Sequence, residues 1–294
     1  MNNPLLKRVQ RHAVDLNPAQ THYPIHGILP DITPYRFFAP TPPDVCVEAP
    51  FCAFVLQGEK EVLADKQRQH LHGGQFNLSV IDMPITSRIT KASKDEPYYG
   101  LVVRLNLDDI GEFIRRHGLS APKHDNPPKI AVIEQVAQLN NVLCRWLDLL
   151  DTPSAAPVLA TLYRQEFYFW LLNQPESIML FHATQSDSHA NKISKATEWI
   201  RANFRQPISI KALAQSVALS QSGFHHHFAR LTGLTPLQFQ KQLRLQEARR
   251  LMLRGEDAAS ACIEVGYESS SQFSREYRRC FGNPPKKDIE LLQP

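Results

Sequence analysis

The sequence predicts an α+β fold in which a small β-barrel or sandwich with flanking helices comes first and an all-α domain comes second. Three observations lead to this prediction: strand-like apolar runs between residues 37 and 106, helical periodicity from residue 108 onward, and an internal duplication near the carboxyl end. With 294 residues the chain is longer than an ordinary domain of roughly 100 to 200 residues. We therefore predict two domains, at residues 1–185 and 190–294.

The composition excludes several classes of protein. Hydrophobic residues make up 43% of the chain and aromatic residues 9%, with only 12 glycines, so collagen-like and disordered chains do not fit. The longest apolar run, residues 167–172, is far shorter than the roughly 20 residues that cross a bilayer. The amino end also lacks the apolar stretch of a secretory signal. We expect a cytoplasmic protein without a membrane partner.

The cysteines predict free thiols, because they are odd in number and lack C-x-x-C spacing. There are five of them: Cys46, Cys52, Cys144, Cys262 and Cys280. Cys46 and Cys52 stand near the start of the predicted sheet, where an exposed thiolate would act as a redox or electrophile sensor. The alternative is unreactive burial, and it is favoured because free cysteine is among the most frequently buried residue types.

Charge divides unevenly between the two predicted domains. Residues 190–294 contain 16 Lys+Arg and 9 Asp+Glu, a net charge of +7, whereas residues 1–189 contain 17 and 20, a net charge of −3. A basic segment favours a polyanionic partner such as nucleic acid.

The strand-like runs lie at residues 45–47, 51–56 and 98–105, with glycine and proline between them. Such spacing predicts hairpin-connected antiparallel strands. Helical periodicity then predicts helices over residues 108–118, 130–150 and 158–173, and the first of them is predicted to be closed by Gly118. The polar end of residues 174–190 indicates a linker.

An internal duplication matches residues 209–236 with residues 257–285. At an offset of 49 the first copy's Ser220, Phe224, Phe228 and Gly233 align with Ser269, Phe273, Tyr277 and Gly282. Each copy is typical of a short helix, a tight turn and a second helix. Ser209, Ser220 and Ser269 are predicted to cap helices through their side-chain oxygens.

The second helix of each copy has one apolar and one polar face. Phe224, Phe228 and Leu231 share the inner face of the first copy, and Phe273, Tyr277 and Cys280 share that of the second. An α-helix fits the major groove, where Arg and Gln make paired hydrogen bonds to base edges. The predicted DNA-contacting residues are therefore those on the outer faces: Ser222, His225, His226, Arg230, Ser271, Gln272, Arg275, Arg278 and Arg279.

The segment between the copies, residues 237–253, predicts a helix with Phe239, Leu243, Ala248 and Met252 on its buried side. A helix of this length spans roughly 25 to 30 Å, close to the roughly 34 Å between major grooves on one face of DNA. The geometry favours two recognition helices in successive grooves.

Two blocks carry a family resemblance: LAQSVALSQSGFHHHFARLTGLTPLQFQKQLRLQEARRLML and VGYESSSQFSREYRRCFG. They closely resemble the AraC/XylS transcriptional regulators over about residues 190–285. PFCAFVLQGEKEVL, the DMP at residues 82–84 and RQEFYFWLLN are similar to the amino-terminal domain of one AraC subgroup. The resemblance implies an activator that binds double-stranded promoter DNA and RNA polymerase. It also implies a cupin-like amino-terminal domain that senses a small molecule or forms a homodimer.

His70-Leu71-His72 is similar to part of a cupin metal motif, but the expected Glu is missing, so we predict no metal and no cofactor. His225, His226 and His227 cannot converge on one ion, because neighbouring helical residues point about 100° apart. We find no ordered nucleophile, base and acid, and predict no catalytic residue and no enzyme. The alternatives are a constitutive regulator whose amino-terminal domain only dimerises, and a cupin-type enzyme fused to a DNA-binding domain.

Overall fold

The structure is a computed structural model that describes residues 3–16, 27–47, 50–64, 67–80, 84–122, 130–185 and 188–292. Its amino-terminal part is a sandwich of two sheets, which confirms the predicted sandwich; the sheets do not close into a barrel. The strands of the described residues are β1 Val14–Asp15, β2 Ile32–Phe37, β3 Asp44–Val47, β4 Phe51–Gln57, β5 Glu59–Ala64, β6 Gln67–His72, β7 Gln75–Ser79, β8 Pro84–Lys91, β9 Tyr98–Arg104 and β10 Ile130–Glu134.

The larger sheet has six strands in the order β1-β2-β9-β4-β7-β10, and the smaller has four in the order β3-β8-β5-β6. Pairing is antiparallel except between β1 and β2. Alternation along β4 explains the layers, since successive strand residues point to opposite faces. Ala53 and Val55 face the smaller sheet, while Cys52 and Phe54 face the helices.

Five helices cover the outer face of the six-stranded sheet in the described part of the chain: α1 Pro4–His12, α2 Leu107–His117, α3 Ala137–Leu147, α4 Ala156–Leu172 and α5 Ile178–Thr184. Their largest buried side chains include Trp146, Phe167 and Tyr168. α2 ends at Gly118, whose φ of 59° is left-handed, as the sequence predicts for a helix closed by glycine.

The prediction of one helix over residues 130–150 is wrong at its start. Residues 130–134 form β10, which pairs with β7 at the edge of the six-stranded sheet. Ile130, Ala131 and Ile133 are buried there. An apolar run of this length fits a buried strand as well as a helical turn, so only the unpaired edge of β7 decides between them.

The predicted linker at residues 174–190 is also wrong over most of its length. Residues 175–177 form a 3-10 turn, and α5 follows directly. Ile178, Met179, Leu180 and Phe181 are all buried on the helical side of the sandwich. Apolar side chains placed early in the segment made it a helix, and the polar residues after Thr184 do not continue it.

Seven helices form the carboxyl-terminal part of the described chain: α6 His189–Asn203, α7 Ile210–Ser216, α8 Gln221–Thr232, α9 Pro236–Leu253, α10 Ala258–Glu264, α11 Ser270–Phe281 and α12 Pro285–Leu292. They enclose two small apolar cores. Phe239 and Leu243 of α9 belong to the first core, and Ala248 and Met252 belong to the second. None of the helices in the described part of the chain combines the length and the hydropathy that a membrane span requires.

Candidate nucleic-acid interface

The first helix–turn–helix unit consists of α7 and α8. Ser209 Oγ accepts from the Ala212 N–H at 3.3 Å, and Ser220 Oγ accepts from the Gly223 N–H at 3.1 Å, so both predicted caps are confirmed. Between the helices, Ala218 adopts a left-handed φ of 53°. The turn therefore reverses the chain at a position where glycine is the usual residue.

The second unit, α10 and α11, repeats this construction. Ser269 Oγ caps α11 by accepting from the Gln272 N–H at 3.3 Å. Gly266, which aligns with Ala218, has a φ of +87°, and a Cβ there would lie 2.1 Å from the carbonyl oxygen of Arg205. Only glycine fits this turn, because the backbone of another segment occupies the space of a side chain.

The inner faces of α8 and α11 are buried as the sequence predicts. Phe224, Phe228, Phe273 and Tyr277 are all nearly inaccessible to solvent. Phe228 packs edge to face against Phe239 of α9, with ring centroids 5.5 Å apart. Each second helix is thus fixed in rotation about its axis, and its opposite face is turned to solvent.

The predicted DNA-contacting residues lie on the solvent side of these helices. Eight of the nine side chains are exposed and one, His225, is half-buried; the exposed ones are Ser222, His226 and Arg230 on α8 and Ser271, Gln272, Arg275, Arg278 and Arg279 on α11. The structure brings each group onto one helix face. Their contact with bases stays a prediction.

The outer face of α11 is strongly cationic. Across the described ranges, no carboxylate pairs with Arg278, Arg279 or Arg230. Arg275 Nε donates to the Ser271 carbonyl oxygen at 3.2 Å, one turn earlier on the same helix. Guanidinium groups without a protein counter-ion attract phosphate and base acceptors, which suits a DNA interface.

A polar network at the edge of α11 holds Gln272. Glu276 accepts from Lys241 Nζ at 2.7 Å, from the Tyr267 hydroxyl at 2.8 Å and from Gln272 Nε2 at 3.3 Å. Burial raises the pKa of Glu276, but these three donors outweigh it and lower that pKa. The i, i+4 spacing of Gln272 and Glu276 is the sequence signal for this network.

The spacer helix α9 is fastened by side chains that the sequence analysis did not single out. Arg244 donates to the carbonyl oxygens of Phe204 at 2.7 Å and Gly266 at 2.6 Å. Gln240 Nε2 donates to the carbonyl oxygens of Phe204 at 2.8 Å and Gln206 at 2.6 Å. One helix thus ties the loop before the first unit to the turn of the second. The available signal was polar residues within a largely buried helix.

Of the three neighbouring histidines, His227 points away from the solvent face. Its ring stacks on His189 of α6 with a centroid separation of 3.6 Å, whereas His226 is exposed. Burial, followed by the nearby His189, Arg230 and His226, lowers the pKa of His227. The histidines diverge, as helical geometry predicts.

The candidate sites of the amino-terminal domain are dispersed. His70 and His72 are exposed, and the His70 Nε2 lies 3.7 Å from Glu61 Oε2, a carboxylate that Arg88 also binds. Within the described ranges no three metal-ligating side chains cluster closely enough to hold an ion. Cys52 is fully buried, which raises the pKa of its thiol. The side chain of Cys46 lies outside the described residues.

Cys280, predicted on the inner face of α11, is half-buried there. Its Sγ lies 3.3 Å from Gln242 Nε2, and burial raises the pKa of the thiol to about 11. A thiol with so high a pKa is a packing group near neutral pH, because the thiolate is the reactive form.

A β-sandwich with helical cover, followed by two helix–turn–helix units, defines a two-domain regulator of the helix–turn–helix class. The family model for the AraC-type transcriptional regulator N-terminus matches residues 28–179, just over half of the chain. A second model, a helix-turn-helix domain, matches residues 213–289. The chain belongs to the AraC family of transcriptional regulators.

Curated relatives include the HTH-type transcriptional activator RhaS of Salmonella schwarzengrund, 28% identical over 159 residues, 53% of this chain and 54% of that protein. RhaS of Escherichia fergusonii is 28% identical over 158 residues, 53% of each protein. The chain spans about half the length of the curated relatives it matches.

Solved structures with a similar fold include two of ToxT from Vibrio cholerae. A single-substitution variant of apo ToxT gives a TM-score of 0.61 at 11% identity, covering 90% of this chain and 98% of that one. Wild-type ToxT with unsaturated fatty acid bound gives 0.60 at 12% identity, covering 89% and 95%. At this identity the likeness concerns the fold alone.

Proposed function

We propose that the chain is a sequence-specific regulator of transcription, most simply an activator, that inserts α8 and α11 into successive major grooves of promoter DNA. The observation that carries the proposal is the division of each helix: a buried aromatic face fixes its rotation, and the opposite face presents polar and cationic side chains. Such a helix contacts base edges when it enters the major groove.

The spacer supports simultaneous insertion. The 18 residues of α9 make a helix of roughly 27 Å at 1.5 Å per residue. Arg244 and Gln240 fasten this helix to both units, so the distance between α8 and α11 is set before DNA binds. A prearranged pair of helices avoids the cost of ordering them on the duplex.

Selection of binding sites from random duplexes tests the proposal. The full chain should enrich a defined sequence, and Arg275→Ala should reduce its preference for that sequence over random duplex by about 1 to 3 kcal/mol. Lys211→Ala, an exposed cation on α7, is the matched control and should weaken both duplexes equally. Equal losses from both variants on both duplexes would contradict base contact by Arg275.

We also propose control by a small molecule that binds the amino-terminal domain. The activator RhaS is a curated relative, and ToxT, which has this fold, has been solved with a bound unsaturated fatty acid. Thermal unfolding with small metabolites tests this, because a ligand that binds only the folded state raises the unfolding temperature. No stabilisation across a broad set would favour the constitutive regulator.

The remaining proposals concern organisation. We propose domains at residues 1–185 and 190–294, RNA polymerase as a partner, no enzymatic activity, and a cytoplasmic location, where bacterial promoter DNA lies.

We further propose a homodimer through α4, where Val158, Leu162 and Phe169 are 68%, 53% and 40% exposed. A two-fold contact uses the same patch on both subunits, so one apolar helix stripe suffices. Leu162→Glu should then yield monomers in sedimentation.

A further inference from the structure

One charged side chain of the spacer helix reaches the amino-terminal sandwich. Arg249 of α9 is only 7% exposed, and its Nη1 donates to Asp44 Oδ1 on β3 at 2.7 Å. Its Nε and Nη2 donate to the two oxygens of Asp288 on α12, at 2.9 and 3.2 Å. A single guanidinium therefore joins a strand of the four-stranded sheet to α12, the helix that follows the second unit.

The connection continues into the second recognition helix. The hydroxyl of Tyr277, a fully buried residue of α11, donates to Asp288 Oδ2 at 2.8 Å. Phe281, one turn further along α11, lies under the Arg249 guanidinium, 4.4 Å from ring centroid to Cζ. Direct hydrogen bonds thus run from Asp44 through Arg249 and Asp288 to Tyr277.

The charges around Arg249 allow Asp44 to be substituted without disturbing the Arg249–Asp288 pair. Burial opposes the charge on Arg249, but Asp44 and Asp288 outweigh it and raise the pKa of its guanidinium. If Asp44 loses its charge, the bidentate Arg249–Asp288 pair still compensates the buried cation. If Asp288 loses its charge, the buried groups of the second unit lose their central acceptor. Asp44 can therefore be changed without removing the internal support of α11 and α12.

The first unit is attached to the sandwich differently. α6, the helix before the first unit, packs against α5, and Leu231 of α8 contacts the apolar core beneath the helical cover. The Leu231 contact is apolar, and α6 follows α5 directly along the chain. The second unit is farther along the chain, and the Asp44–Arg249 bond is a polar contact between the sheet and α9, which packs against that unit.

We infer that Asp44 is a positioning residue: through Arg249 it holds the second unit against the sandwich, and so adds to the α9 contacts that keep α8 and α11 in a fixed relation. The inference rests on the proposed function only where it treats α11 as a DNA-contacting helix. The bridge itself is a property of the free protein and can be tested without DNA.

Hydrogen exchange of the full chain tests the bridge. In Asp44→Asn, amides of α11 and α12 should exchange at least about fivefold faster, the factor expected when roughly one ion pair is lost, while amides of α8 stay unchanged. Asp15→Asn is the matched control, since Asp15 pairs with Arg36 within the same domain. Asp44→Glu keeps the carboxylate and should restore most of the protection. Unchanged exchange in Asp44→Asn, or an equal rise in α8, would overturn the inference.

A binding measurement tests the consequence for DNA. On a duplex selected by the unaltered chain, Asp44→Asn should lose affinity by about fivefold, whereas on a duplex that keeps only the subsite of the second unit it should lose none. Equal losses on both duplexes overturn the positioning role. If the unaltered chain binds no duplex, the proposed function fails, and the exchange experiment still decides whether the bridge exists.

Discussion

The two helix–turn–helix units have the same scaffold but differ in their outer chemistry and in their attachment. Both second helices are capped by serine, Ser220 and Ser269, and both bury an aromatic pair. The outer face of α8 carries two histidines and one arginine, whereas that of α11 carries three arginines. The two copies therefore share the residues that fold each unit and differ in the residues that face solvent.

A single aligned position shows how the attachment differs. Phe228 in the first unit corresponds to Tyr277 in the second, and both are fully buried. The additional hydroxyl binds Asp288 and so connects α11 to α12, Arg249 and the sandwich. Among the described residues of the first unit no buried carboxylate corresponds to Asp288, and the ring of Phe228 packs against Phe224 and Phe239. Two aligned aromatic residues that are equally buried therefore connect their helices to the rest of the molecule in different ways.

The largest expected effect is loss of a shared core residue. Phe228→Ala should lower the free energy of unfolding by about 3 to 5 kcal/mol, because it removes a fully buried ring and leaves a cavity. Chemical denaturation measures this, with Leu237→Ala on the exposed side of α9 as control. A loss below about 1 kcal/mol would show that the first core tolerates collapse and differs from the buried arrangement seen here.

The two turns should respond differently to the exchange of alanine and glycine. Gly266→Ala should destabilise the chain by about 1 to 3 kcal/mol, because the new Cβ would meet the Arg205 carbonyl. Ala218→Gly should change stability by less than about 1 kcal/mol, since relief of the left-handed φ offsets the entropy of glycine. Similar losses in both variants would remove the distinction between the turns.

Removal of the Tyr277 hydroxyl tests the hydrogen bond that connects α11 to Asp288 of α12. Tyr277→Phe should cost about 1 to 2 kcal/mol of unfolding free energy, because Asp288 loses one buried donor while the ring stays packed. Thermal and chemical unfolding measure the loss. Phe228→Tyr in the first unit is the reciprocal variant and should also destabilise, since its hydroxyl would enter an apolar core. A neutral Tyr277→Phe would mean that the hydroxyl bond contributes nothing net.

Salt dependence compares the two cationic faces. Arg230→Ala and Arg278→Ala should each reduce the slope of log affinity against log salt by about 0.9 if each cation neutralises one phosphate. Titration of labelled duplex at several salt concentrations gives the slopes. An unchanged slope for one variant would assign DNA contact to the other unit alone.

The smallest effect concerns pH and distinguishes α8 from α11, which has no histidine. The pKa of His227 is lowered in the folded chain, so over the range between its folded value and its ordinary value of about 6.5 the unfolded chain binds more protons. Stability from this group is therefore fully present above about pH 6.5 and is lost as pH falls from there through the lower pKa of the folded chain. His227→Gln should flatten that slope in thermal unfolding, and an unaltered slope would assign it to other groups.

Much of the interface could be predicted from the sequence because its determinants are local. Capping serines, aromatic residues three to four positions apart and a glycine at each helix end specify helix bounds and rotation. Ser220, Phe224 and Phe228 therefore place Ser222 and Arg230 on the solvent side without knowledge of the rest of the molecule. The same locality explains why α2 and its closing Gly118 were predicted correctly.

Where the sequence prediction failed, the deciding partner is distant along the chain. Residues 130–134 become a strand because β7 offers an unpaired edge. α5 is buried because its apolar side chains pack into the core on the helical side of the sandwich. Arg249 showed no signal in its own helix, since one of its partners lies at Asp44, about two hundred residues earlier. The sequence by itself determined the caps, the turns and the outward chemistry of α8 and α11. Only the tertiary structure decided which strand edge was filled and which carboxylate met the buried guanidinium, because both depend on surfaces that exist only after the chain has folded.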